Sequence, residues 1–94
     1  MRKVTVIRSQ LFKLPFTKGR ILIDNKECET VKASKTAVFE IPDGEHDIQV
    51  IFNAIPPVNS NILRIEQEDG DTVFEVKIIV PLKSSPTYAE LTKK

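Results

Sequence analysis

Cys28 and His46 are the only cysteine and the only histidine in the chain, so thiol or imidazole chemistry would have to run through this pair. Nucleophilic catalysis needs a nucleophile, a base and an orienting group held together. Cys28 lies just past the turn-like stretch Asp24-Asn25-Lys26-Glu27, and His46 follows Gly44 at the start of an apolar run. Consecutive hairpins would place them at the same end or at opposite ends, and the spacing does not choose between the two. A reactive thiol also needs an electropositive setting, so the expected state is a partly buried thiol and a surface imidazole. One His and one Cys cannot complete a structural zinc set. Glu66, Glu68, Asp69 and Asp71 could offer oxygens to calcium, but they lack the alternating acidic order of a calcium loop and read as solvated carboxylates. Carboxylates for glycoside hydrolysis are present in number, with no sign of a cleft. Gly19, Gly44 and Gly70 stand alone, which excludes a glycine-rich phosphate loop. The expectation is a protein with no catalytic set, no metal and no cofactor.

Two stretches offer contact chemistry instead. Residues 1–20 hold Arg2, Lys3, Arg8, Lys13, Lys18 and Arg20 and no acidic residue. Phe12 and Phe16 are interleaved with Lys13 and Lys18. Exposed aromatics among basic residues suit an anionic lipid surface or a nucleic-acid backbone. Against this, strand alternation would spread these charges over several directions, leaving Phe12 and Leu14 to finish the core while the solvated lysines protect an edge strand. The second stretch is Ile55-Pro56-Pro57-Val58, a stiff apolar loop suited either to a partner or to capping the core.

The elements that position these residues follow from a period of two. Val4 and Val6 alternate with Thr5 and Ile7; Ala37, Phe39 and Ile41 oppose Val38 and Glu40. Ile48, Val50 and Phe52 share a face, as do Phe74, Val76, Ile78 and Val80. Successive strand side chains point to opposite faces, so each run presents one apolar face to a core. Turn chemistry separates the runs at Asp24-Asn25, Pro42-Asp43-Gly44 and Asp69-Gly70, the last being the strongest hairpin signal. The pattern predicts strands near 2–9, 20–24, 27–33, 36–41, 46–53, 61–68 and 71–80. That is an all-β, antiparallel two-sheet sandwich of about seven strands. Residues 1–80 form a single domain in this reading and 81–94 a tail. Thr87 with Glu90 has capping-box spacing, so the tail is expected to form a short helix or a linker.

Ninety-four residues with a formal charge of +1 suit one domain and give no field favouring nucleic acid. A single cysteine favours a reducing cytoplasm. No segment approaches the ~20 apolar residues of a membrane span.

Ile23-Asp24-Asn25-Lys26, followed by Phe39-Glu40-Ile41-Pro42-Asp43-Gly44-Glu45-His46-Asp47-Ile48-Gln49-Val50, resembles a known layout. It is similar to PEGA-like and carboxypeptidase-regulatory-like β-sandwich domains, and to small uncharacterised bacterial proteins of that plan. Asn25 stands where those domains usually carry Gly, and the Pro-Glu-Gly-Ala motif is absent. The resemblance implies an immunoglobulin-like or prealbumin-like sandwich acting as a non-catalytic accessory or interaction module. The expected partner is a protein or a second copy paired through a sheet edge, with anionic-surface binding the alternative. Carbohydrate or small-molecule binding ranks last, since there is no Trp and Tyr88 lies in the tail.

Overall fold

The period-two runs become strands in the computed structural model, which describes residues 1–8, 18–31, 35–53, 57–79 and 87–94. In chain order these are β1 (Arg2–Arg8), β2 (Gly19–Ile23), β3 (Lys26–Val31), β4 (Thr36–Ile41) and β5 (His46–Phe52). After them come β6 (Val58–Asn59), β7 (Leu63–Ile65), β8 (Thr72–Ile79) and β9 (Tyr88–Lys93). Sheet A has the order β4-β1-β8-β9; sheet B has β3-β2-β5-β6, with β7 also on β5. The fold is an all-β two-sheet sandwich, mostly antiparallel.

Four expectations need correction. The described residues hold nine strands, because β6 (Val58–Asn59) and β9 (Tyr88–Lys93) add to the expected seven, and the strand expected over 61–68 shrinks to Leu63–Ile65. One central pair, β1 with β8, is parallel. Side-chain alternation reports which face a residue takes and says nothing of the direction of the neighbouring strand. Asp69-Gly70 does not close a hairpin. Gly70 lacks the positive φ that a two-residue hairpin turn demands, and the Asp69 carboxylate accepts from the Glu66 amide at 2.8 Å. The segment is an arch from sheet B to sheet A. Finally, Tyr88–Lys93 is a strand and not a helix. Ala89 and Leu91 enter the core with Glu90 outside between them, and β8 supplies a full antiparallel partner. The weak local helix signal loses to that pairing.

The Asp24-Asn25 turn is as expected. Ile23 pairs with Lys26, and both turn residues have positive φ, 52° and 66°. Gly44, at φ 114°, supplies the bend between β4 and β5.

The core lies between the sheets: Val4, Val6, Phe74 and Val76 from sheet A meet Ile21, Ile48, Val50 and Phe52 from sheet B. Gly19 faces it too. A Cβ there would come within 2.9 Å of Phe52 Cε1 and 3.0 Å of Val31 Cγ1. The inward row of β1 is Arg2-Val4-Val6-Arg8, so an arginine stands at each end of the core. Arg8 stacks over the Phe52 ring, 4.7 Å from its centroid, and burial pushes its guanidinium below the usual range. Arg2 donates from Nη1 to the carbonyls of Glu66 and Asp69, both at 2.6 Å, and from Nη2 to that of Gly44.

Candidate functional site

A sandwich has sheet edges, and each edge carries backbone groups that need partners. On one side the two sheets are stitched together. Ser60 bridges Ala89 in parallel, and the Asn61 amide gives Nδ2 to the Leu91 carbonyl and takes the Leu91 amide on Oδ1, at 3.0 and 2.8 Å. The outer edge of β9 is therefore occupied. The Ser60 hydroxyl likewise accepts from the Val50 amide at 2.9 Å.

On the opposite side no described strand covers the outer edges of β3 and β4, which flank a groove of about 520 Å³. β3 defends itself: it bulges opposite Ile21 and Leu22 and carries exposed Glu27 and Glu29. β4 has no bulge, and Glu40 is its one exposed charge. The Arg8 amide donates to the Lys35 carbonyl, which makes Arg8–Lys35 a hydrogen-bonded pair. Pairs alternate along an antiparallel ladder, so Ala37, Phe39 and Ile41 turn their backbone groups to β1. Thr36, Val38 and Glu40 turn theirs outward, where none has a partner among the described residues. Val38 is an apolar residue 54 % exposed at the middle of this edge.

At the base of the sandwich lies a polar cluster. The His46 ring gives Nδ1 to Asp24 at 2.6 Å and Nε2 to the Pro42 carbonyl at 2.8 Å. A carbonyl only accepts, so Nε2 carries a proton, and the carboxylate favours one on Nδ1. The hydrogen bond to Asp24 raises the His46 pKa above its usual value, and the same bond lowers that of Asp24. In the protonated ring both nitrogens are engaged as donors and neither has a lone pair to offer a substrate. Arg64 bridges Asp47 and Glu45 at 3.0 Å each; its hydrogen bond lowers the Glu45 pKa, while the one between Glu45 and Glu66 raises that of Glu66.

Cys28 is exposed on β3, with β2 standing between it and β5. Partial burial raises its pKa, with Glu29 adding to the effect, which disfavours the nucleophilic thiolate. The acidic cluster is dispersed: Asp69 pairs with Lys93 at 3.1 Å, and Asp71 accepts from the Lys3 amide at 2.9 Å. Among the described residues no three His, Cys, Asp or Glu side chains converge as a metal site.

The His46–Asp24 pair makes stability depend on pH. A raised histidine contributes fully below its unfolded value of 6.5, and the contribution is lost as pH rises through the folded value. A depressed aspartate contributes above its unfolded value of 3.8, and this is lost as pH falls through the folded value. The pair therefore stabilises most between these limits. Thermal melts at pH 6 and pH 8 are expected to show a fall of a few degrees, absent in His46→Gln; an equal fall in the variant would exclude His46 as its source.

Of the residues singled out in the sequence, Phe12, Lys13, Phe16, Ile55 and Pro56 lie outside the described residues. Lys18 and Pro57 are exposed, whereas Val58 is buried. The Asn53 amide reaches the Lys18 carbonyl, and Val58 pairs with Phe52, so the described residues that flank the two stretches lie at the same end of the sandwich. The described basic residues of the first twenty do not form one patch. Arg2 and Arg8 are buried at opposite ends, and Arg20 lies 3.7 Å from Glu27. Sequence reasoning missed the β4 edge. Its signal was Val38, a β-branched apolar residue on the face that otherwise carries Thr36 and Glu40. Compared with known proteins, the chain matches no family model, no curated protein and no solved structure.

Proposed function

We propose that the chain is a non-catalytic interaction module that takes a partner strand along the free edge of β4. The observation that carries this reading is the row of outward backbone groups at Thr36, Val38 and Glu40 that find no partner among the described residues, beside a groove and with Val38 exposed. Strand addition at such an edge draws affinity from main-chain hydrogen bonds and specificity from the side chains beside them. The engaged nitrogens of His46 and the raised pKa of Cys28 support a non-catalytic role. The resemblance to PEGA-like and carboxypeptidase-regulatory-like domains agrees with an accessory module. The exposed lone thiol suits a reducing cytoplasm.

Photo-crosslinking in cells tests the location. A photoreactive residue replacing Val38 should give a discrete adduct, stronger than one replacing Glu27 on β3 or Ile62 on the surface of sheet B. Stronger capture from position 27 or 62 would overturn the assignment of the edge.

A further inference from the structure

Resting on the edge-docking reading, we infer that the partner strand is β4 of a second copy, paired antiparallel about a two-fold axis through Val38. The outward groups belong to Thr36, Val38 and Glu40, spaced evenly about Val38. Only a register centred there uses all of them. Val38 meets the partner's Val38, and Thr36 meets the partner's Glu40 on both sides of the axis. Each of these becomes a hydrogen-bonded pair exchanging two bonds. A shift of two residues leaves part of the row unpaired, and centring on Glu40 sets two carboxylates face to face.

The side chains suit the same register. Val38 covers the partner's Val38 on the solvent face, removing the exposed apolar residue of this edge. On the inner face Ala37 comes opposite the partner's Phe39, a ring only partly buried against the core in the single copy. No like charges oppose each other. The same operation on β3, centred on Cys28, would place Glu27 against the partner's Glu29, and the bulge there interrupts the ladder. On β9 the outward groups of Ala89 and Leu91 are already taken by Ser60 and Asn61. The charge pattern and the phase of the free backbone groups thus select a β4 pair, a closed isologous contact that joins two copies of sheet A into one continuous sheet.

A single strand pair covers less than the roughly 800 Å² per partner of a standard stable interface. The dimer is therefore weak, with a dissociation constant on the order of 10–100 µM. Sedimentation of the full chain from about 1 µM to about 1 mM should show the mass rising from 10.6 kDa towards twice that value. Val38→Lys sets two ammonium groups at the axis and should weaken the dimer at least tenfold. Val38→Pro removes the outward amide while sparing the Ala37 and Phe39 amides that bond β1, and should abolish it. An unchanged melting temperature and amide spectrum show that each variant is folded. If a variant does not fold, concentration-dependent hydrogen exchange of the native chain decides. Protection should grow at Thr36, Val38 and Glu40 and not at Glu27 to Thr30.

The register has its own test. In a Cys28→Ser background, mild oxidation should link Val38→Cys to its copy and leave Glu40→Cys unlinked. A monomer at the highest concentration, or a dimer indifferent to Val38→Lys, overturns the inference. A crosslinker at position 38 that captures only a different protein also overturns it, yet leaves the edge-docking reading intact. No adduct at 38 overturns both.

Discussion

Replacing Arg2 with Met is expected to cost about 3–5 kcal/mol, among the largest effects of any single substitution in this chain. The side chain is only 7 % exposed, and its guanidinium serves three backbone carbonyls, those of Gly44, Glu66 and Asp69. Those carbonyls belong to two of the arches that carry the chain between the sheets, β4 to β5 and β7 to β8. Methionine fills similar volume and offers no donor, so the acceptors lose their partners in a site largely closed to water. A charge-assisted hydrogen bond contributes about 1.5–3 kcal/mol, and the three are not additive. A domain of this size has only about 5–10 kcal/mol in total, so a fall in Tm of roughly 15 °C or more follows. Arg2→Lys should recover less than half, because one ammonium cannot span three acceptors as a planar fork does. Lys3→Met is the control: that side chain is exposed, and only its backbone amide bonds Asp71. Equal losses for Arg2→Met and Lys3→Met in thermal and urea melts would remove Arg2 from this role.

The second large effect runs against ordinary strand propensity. Gly→Ala in a strand normally stabilises by about 0.5–1 kcal/mol, through lower entropy of the unfolded chain. At Gly19 the sign is reversed. The added methyl would sit 2.9 Å from Phe52, 3.0 Å from Val31 and 3.1 Å from Val50. All three are fully buried core side chains, and none is the free end of a flexible surface chain. Overpacking of this kind costs about 1–3 kcal/mol, and Gly19→Val should do worse. Phe52→Leu alone should also destabilise, by leaving a void under Arg8. Combined, Gly19→Ala and Phe52→Leu should cost less than their sum, since each relieves the defect of the other. Strict additivity in a double-mutant cycle would show that the two positions do not meet.

How much of this was legible can be followed residue by residue. Val4 and Val6, Ile48 to Phe52, and Phe74 to Ile78 announced their strands, because alternation is a local property. Asp24-Asn25 announced its turn, because few residues accept two consecutive positive φ angles. Asp69-Gly70 misled because a turn dipeptide does not say which sheets its flanking strands join. The tail misled because the capping-box spacing of Thr87 and Glu90 is visible locally, while the edge of β8 that draws residues 88–93 into a sheet is not. Arg2 and Arg8 looked like surface charge until the inward row of β1 was seen to end on them. Val38 hinted at an exposed apolar residue on β4, but the free edge itself is not a local property of the sequence. It exists only because β1 takes one side of that strand and nothing among the described residues takes the other.

The parallel pairing of β1 with β8 has a consequence for how the chain is made. Val4 finds its partner at Thr72, across most of the sequence, and the edge of β8 is then closed by β9. During synthesis, at about 5–20 residues per second, β1 and β4 are available for seconds before β8 exists. In that interval β1 has one covered flank and one bare one, and its bare flank is as ready for a strand from another nascent chain as for its own. Contacts this distant in sequence also slow the final step, placing the domain among the slower folders of its size. The half-built sheet, more than the finished one, is the species a chaperone would have reason to hold.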